Sequence, residues 1–137
     1  MKSNICKKIK VFFLFLTGCI FLIITAGEEI RAEGIHARYL ENSGMRTVLE
    51  LTVEDPPPSS VIVQQRIPQG TEIQSTIPPY IKFVASKGVV KWLFKQPQPG
   101  VVTIVLNYSK PLAARGATAV IRCKSPRDGK LMTVHVN

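Results

Sequence analysis

Beyond residue 32 the chain is built from short runs in which apolar and polar side chains alternate, each cut off by proline, glycine, serine or asparagine. A period of two is the spacing of a strand with one buried face, and no window carries the i, i+3, i+4, i+7 spacing of an amphipathic helix. The runs predict strands at Ile35–Leu40, Arg46–Glu54, Val61–Ile67, Tyr80–Val84, Val89–Lys95, Val101–Tyr108, Thr118–Lys124 and Leu131–Val136, with a weaker one at Glu72–Ser75. Asp55–Ser60 contains Pro56, Pro57 and Pro58, which remove consecutive backbone donors and require a loop. Gly70, Pro78–Pro79, Gly88 and Pro97–Gly100 mark further turns. Ser125–Gly129 reads as a tight hairpin loop, with Pro126 fixing φ at the first turn position and Gly129 free to take φ > 0.

The alternation assigns faces. Leu49, Leu51 and Val53 oppose Glu50 and Thr52; Val61, Val63 and Ile67 oppose Gln64 and Arg66; Val90, Trp92 and Phe94 oppose Lys91 and Lys95. In Val101–Tyr108, Val102 and Val105 add apolar character to both faces, which predicts an interior strand. A half-buried, antiparallel two-sheet sandwich satisfies all of these patterns, with Trp92 as the core anchor. Cys123 shares a face with Ala119 and Ile121, which predicts a buried, inert thiol.

The first 32 residues carry a different signal. Lys2, Lys7, Lys8 and Lys10 precede an apolar run from Val11 to Ala26, and a polar stretch then ends at Ala32. This is the order of an export signal, a hydrophobic helix preceding the domain. Three fates compete. Cleavage after Ala32 is favoured, leaving residues 33–137 as the folded domain. Retention would make residues 1–32 a membrane anchor, since Val11 to Gly27 is at the short end of what spans a bilayer. The third is lipidation at Cys19, because Leu16–Cys19 resembles a lipobox, although the apolar residues after it are unlike the usual polar tether. All three place the domain outside the cytoplasm, in a bacterial periplasm or at the cell surface.

The chain carries 18 Lys+Arg against nine Asp+Glu. Five of the cations and two of the acids precede residue 33, so the remainder stays basic at +6. That balance suits anionic partners, and equally suits the plain solubility of an exported domain. Lys91 and Lys95 face away from Trp92 about 13 Å apart along their strand. Lys82 lies on the outward side of the preceding strand and completes a basic stripe if the two strands are neighbours. Arg122 and Lys124, with the turn residues Arg127 and Lys130, form a second cluster.

The middle of the chain resembles a known pattern. The strand Leu49–Val53 leads into the proline-rich loop, followed by Val61–Thr71, then Gly88–Phe94, then Pro99–Gly100 before Val101–Leu106. This is similar to the Ig-like repeat domains of bacterial surface and envelope proteins, which carry a "D-x-L-P-x-G" turn, a "G-x-V-x-W" strand and a "P-G" turn. The resemblance covers Val48 to Tyr108. Arg66 and Ile67 stand where that family more often has an acid and Leu, and the domain stands alone rather than in tandem. The resemblance implies an Ig-like β-sandwich at the envelope, acting as a structural or protein-interaction module.

Catalytic and metal constellations are not evident in the sequence. His36 and His135 lie near opposite ends of the domain, without the third and fourth ligands a metal site needs. Glu50, Glu54 and Asp55 cluster at one strand end and read as solvated acids, since a glycosidase pair needs a cleft between its carboxylates. Asn42, Asn107 and Asn137 occupy no core position that would support an isopeptide bond. The expectation is a non-catalytic domain with no cofactor or metal. Its expected partner is another envelope protein, or alternatively an anionic polysaccharide or lipid; a membrane is reached through an uncleaved leader, and nucleic acid is not expected.

Overall fold

A computed structural model describes residues 30–32 and 34–137, with side chains described from residue 34 onward. The expected export helix and Cys19 lie outside the described residues. Nine strands form two antiparallel sheets: β1 (Ile30–Ala32), β2 (Ile35–Val53), β3 (Ser60–Arg66), β4 (Ile73–Ile77), β5 (Lys82–Val84), β6 (Val89–Lys95), β7 (Gly100–Leu112), β8 (Thr118–Lys124) and β9 (Leu131–Val136). One sheet has the order β1-β2-β7-β4 and the other β5-β6-β3-β8-β9. The described residues are therefore an all-β, two-sheet assembly, and their only helical element is the short 3₁₀ turn Ala85–Lys87.

The two strands expected at Ile35–Leu40 and Arg46–Glu54 form one extended run, β2, which folds back on itself about Gly44. In a straight strand Arg38 and Glu50 would be about 40 Å apart. Instead the Arg38 Nε donates to Glu50 Oε1 at 2.9 Å, and the Glu54 N–H reaches the Gly34 carbonyl at 3.0 Å. Gly44 takes φ 69°, in the left-handed region the reversal uses. Asn42, beside that turn, clasps Ala117: its amide donates to the Ala117 carbonyl at 2.8 Å and accepts the Ala117 N–H at 2.9 Å. The second arm of β2 then runs along β7, with Leu49 opposite Ile104 and Leu51 opposite Val102. β7 is interior to its sheet, as its two-faced apolar pattern predicts. β1 pairs with the first arm through Ile30↔Ala37 and Ala32↔Ile35, on the leader side of the boundary expected at Ala32. It also packs against β9 of the other sheet, so the sandwich is closed along that side.

In the second sheet β6, β8 and β9 coincide with the strands read from the sequence. β3 sits at the centre, between β6 and β8. The β8–β9 hairpin is built as its turn chemistry requires. Gly129 has φ 69°, its N–H donates to the Ser125 carbonyl at 3.0 Å, and the Ser125 hydroxyl accepts the Arg127 and Asp128 N–H groups.

Leu49, Leu51, Ile104 and Leu106 from one sheet meet Val61, Val63, Val90, Trp92 and Ile121 from the other, all essentially inaccessible to water. Trp92 is 1% exposed and its indole N–H donates to the Pro78 carbonyl at 3.0 Å, so the ring is a core anchor with a satisfied polar end. Phe94 is only half-buried at the margin. Cys123 is 4% exposed, and burial pushes its thiol above the ordinary value.

The sandwich interior also holds a polar cluster. Gln65 of β3 donates through Nε2 to Thr47 Oγ1 of β2 at 3.0 Å, and Thr47 shares a 2.7 Å hydrogen bond with the Tyr108 hydroxyl of β7. All three residues are at most 1% exposed. The link ties the two sheets through their centre. Gln65 Oε1 and the neighbouring Tyr39 hydroxyl are buried with no partner. Burial raises the Tyr108 phenol to about 12, its bond to Thr47 pulling the other way, and burial together with Tyr108 holds the Tyr39 phenol well above its ordinary range.

Candidate functional site

The candidate surface is the outer face of the five-stranded sheet, and strand pairing builds it. Inward positions on β3 are Val61, Val63 and Gln65, which leaves Ile62, Gln64 and Arg66 outward. On β6 the inward Val90 and Trp92 leave Lys91, Leu93 and Lys95 outward; on β8 the inward Ala119, Ile121 and Cys123 leave Val120, Arg122 and Lys124 outward.

β5 pairs with β6 so that Lys82 stands directly opposite Lys91. Lys91 is in turn opposite Gln64, and Lys95 is opposite Ser60. Across β3, Ile62 is opposite Arg122. The basic stripe on β5 and β6 and the cluster on β8 are therefore parts of one face, joined through β3. Arg66 belongs to the same face, a residue the sequence reading placed outward without assigning it to the site. His135 on β9 is opposite Val120 and completes a row that begins at Lys82. Arg127 and Lys130 sit in the β8–β9 turn at the lower end of the face, where the Lys130 ammonium pairs with Asp128 at 3.3 Å. The backbone N–H of Lys130 bonds the same carboxylate and, with the Ser125 hydroxyl, holds it below its ordinary range.

Apart from Asp128, the described carboxylates are concentrated on the four-stranded sheet, where cations such as Arg38 and Arg46 accompany them. Glu41, Glu50 and Glu54 belong to β2 or its end, Asp55 follows them, and Glu72 precedes β4. The acids read as solvated are mostly engaged: Glu50 holds Arg38 with an N···O distance of 2.8 Å, and Glu54 meets His36 Nε2 at 2.6 Å. The fold-back of β2 brings its own N-terminal arm alongside them, while Glu54 and Asp55 stay exposed as a solvated reading expects. Glu41 pairs with Arg46 at 2.7 Å, and Glu72 accepts from the Ser109 hydroxyl at 3.2 Å. On the opposite face, Arg66, Lys82, Lys91, Lys95, Arg122 and Lys124 have no carboxylate within ion-pair distance among the described residues.

That arrangement carries an electrostatic cost. Like charges directly opposite across a strand pair destabilise, by about 0.2–1 kcal/mol for a pair such as Lys82 and Lys91. An anion seated between the two ammonium groups would remove that repulsion and gain charge-assisted hydrogen bonds. Gln64 beside Lys91, and Ser60 beside Lys95, supply further polar groups on the same rows.

Other reactive groups sit apart. His36 lies on the opposite sheet, where it lines a shallow concavity with Arg38, Glu50 and Thr52 and bonds Glu54. Cys123 points into the core, away from the basic face. No group of three or more His, Cys, Asp or Glu side chains suited to a metal ion occurs among the described residues. No protein-family model, curated protein or solved structure matches the chain.

Proposed function

We propose that this chain is an exported, non-catalytic Ig-like β-sandwich of the bacterial envelope, a docking module that presents the basic outer face of its five-stranded sheet to an anionic partner. The observation that carries this reading is the one-signed charge of that face. Six cations share one sheet face without an acidic counterpart among the described residues, while the carboxylates of the other sheet are largely taken up by local partners. Cations kept only for solubility are ordinarily interspersed with acids; a one-signed face raises the local concentration of anions and orients their approach. Export is supported by the order of basic, apolar and polar segments in residues 1–32.

The test is retention of the full chain, kept soluble in mild detergent, on phosphocellulose. Binding at low salt that falls steeply as salt approaches a few tenths molar supports the reading, because the screening length of exposed charges is already about 8–10 Å at 0.1–0.15 M and shortens further above that. Absence of retention at low salt contradicts it.

A further inference from the structure

The basic face is bordered at its β5 edge by a segment of a different chemistry. β4 leaves one sheet at Ile77 and β5 enters the other at Lys82, and the link between them is Pro78, Pro79, Tyr80 and Ile81. Ile77 is 67% exposed, Ile81 64% and Tyr80 39%. Single exposed apolar residues are unremarkable, but consecutive ones rimmed by charge mark an interaction site.

This link is held in place. The Pro78 carbonyl accepts both the Trp92 indole N–H at 3.0 Å and the Thr76 hydroxyl at 2.8 Å. The Ile81 N–H donates to the Lys91 carbonyl at 2.8 Å, and the Tyr80 ring lies against Phe83 with centroids 6.0 Å apart. Two successive prolines restrict φ. The apolar side chains are thus presented to water by a braced backbone tied to the core anchor. Lys82 follows Ile81 directly, and Lys91 is bonded to it through the backbone.

An apolar ridge with Tyr at its centre and lysines at its base has the chemistry of a membrane interface. Aliphatic side chains enter the acyl boundary, Tyr sits at headgroup level and lysines stay in the polar layer against anionic lipid. The adjoining sheet face suits a broad surface, with Ile62 and Leu131 exposed at 41% and 69% among its cations.

We infer that Ile77, Tyr80 and Ile81, with Lys82 and Lys91, form a membrane-docking corner specific for anionic bilayers. The inference rests on the reading of the basic face as an anion-binding surface and names the anion as lipid headgroup.

The probe is Ile81→Trp in the full chain, reconstituted into vesicles of phosphatidylcholine alone or mixed with phosphatidylglycerol. Ile81 is exposed, so the substitution disturbs no packing, and the parent chain supplies the Trp92 background. The expected result is a blue-shifted added emission, quenched by shallow brominated lipid in the phosphatidylglycerol vesicles. Both effects are lost when Lys82→Gln and Lys91→Gln are added. Emission as in water, without quenching, overturns the inference. If phosphocellulose still retains the chain in that case, the anion-binding face survives and its ligand is a soluble or wall-bound polymer. Equal quenching in phosphatidylcholine overturns the specificity for anionic lipid. A blue shift that needs no lipid and grows with protein concentration overturns it in favour of a second copy of this chain.

Discussion

Replacing Thr47 with Val tests whether the polar cluster between the sheets holds the sandwich in one arrangement. The two side chains are nearly the same shape, so no cavity opens. What changes is bonding. Thr47 Oγ1 accepts from Gln65 Nε2 at 3.0 Å and shares a hydrogen bond with the Tyr108 hydroxyl at 2.7 Å. Thr47→Val leaves both partners buried and unmatched, at about 1–3 kcal/mol each, or roughly 2–6 kcal/mol in all. For a domain of this size, about 4–8 °C of melting temperature accompanies each kcal/mol, so the midpoint falls by at least about 8 °C. Removing the whole cluster is expected to be far milder. Thr47→Val with Gln65→Leu and Tyr108→Phe orphans no group within it, and also eliminates Gln65 Oε1, which has no partner to begin with. The triple variant should therefore be more stable than the single one, a strong departure from additivity. Urea unfolding followed by circular dichroism and by the fluorescence of Trp92 gives the free energies. A Thr47→Val midpoint within about 0.5 kcal/mol of the parent, the scale of neutral surface changes, refutes the reasoning, as does a triple variant weaker than the single.

Three further outcomes are expected. Trp92→Ala removes a core ring and its bond to Pro78, and should cost about 3–5 kcal/mol in the same unfolding assay; a melt like the parent's would remove Trp92 from the core. In a Cys6→Ser, Cys19→Ser background, Cys123 should resist a thiol reagent under native conditions and react freely in urea, because burial disfavours its thiolate; rapid native labelling would contradict this. Alkaline unfolding should begin near pH 10. Burial raises the Tyr108 phenol from 10.0 to about 12, so the unfolded state loses this proton first. The contribution is complete below pH 10 and is lost as pH rises toward 12, and Tyr108→Phe should flatten that part of the stability profile.

The strands themselves were legible because period-two alternation and turn residues act locally. β6, β8 and β9 fall where the sequence places them, and Trp92 and Cys123 face inward as their neighbours require. The weaker edge strand was read at Glu72–Ser75 and lies at Ile73–Ile77. What alternation could not supply is pairing. Gln65 falls at an inward position between Val63 and Ile67, yet its partner Thr47 is 18 residues away and on the other sheet. The ion pairs of Glu50 and Glu54 depend on β2 reversing at Gly44, which places residues of one strand run side by side. The two basic clusters looked separate because β6 and β8 are distant in sequence. Their common face exists only because β3 is inserted between them.

The central claim is that one sheet face, rather than net charge, binds the anion. Two variants of equal charge decide it. Lys82→Gln and Lys91→Gln change that face; Lys110→Gln and Arg115→Gln remove as many cations from positions off it. The full-length chains are compared by the salt concentration that releases each from phosphocellulose, with melting temperatures confirming that both fold. The account predicts that the first variant is released at markedly lower salt than the parent while the second stays close to it. Equal release of the two variants would show that binding follows overall charge, and would contradict a docking face on the five-stranded sheet.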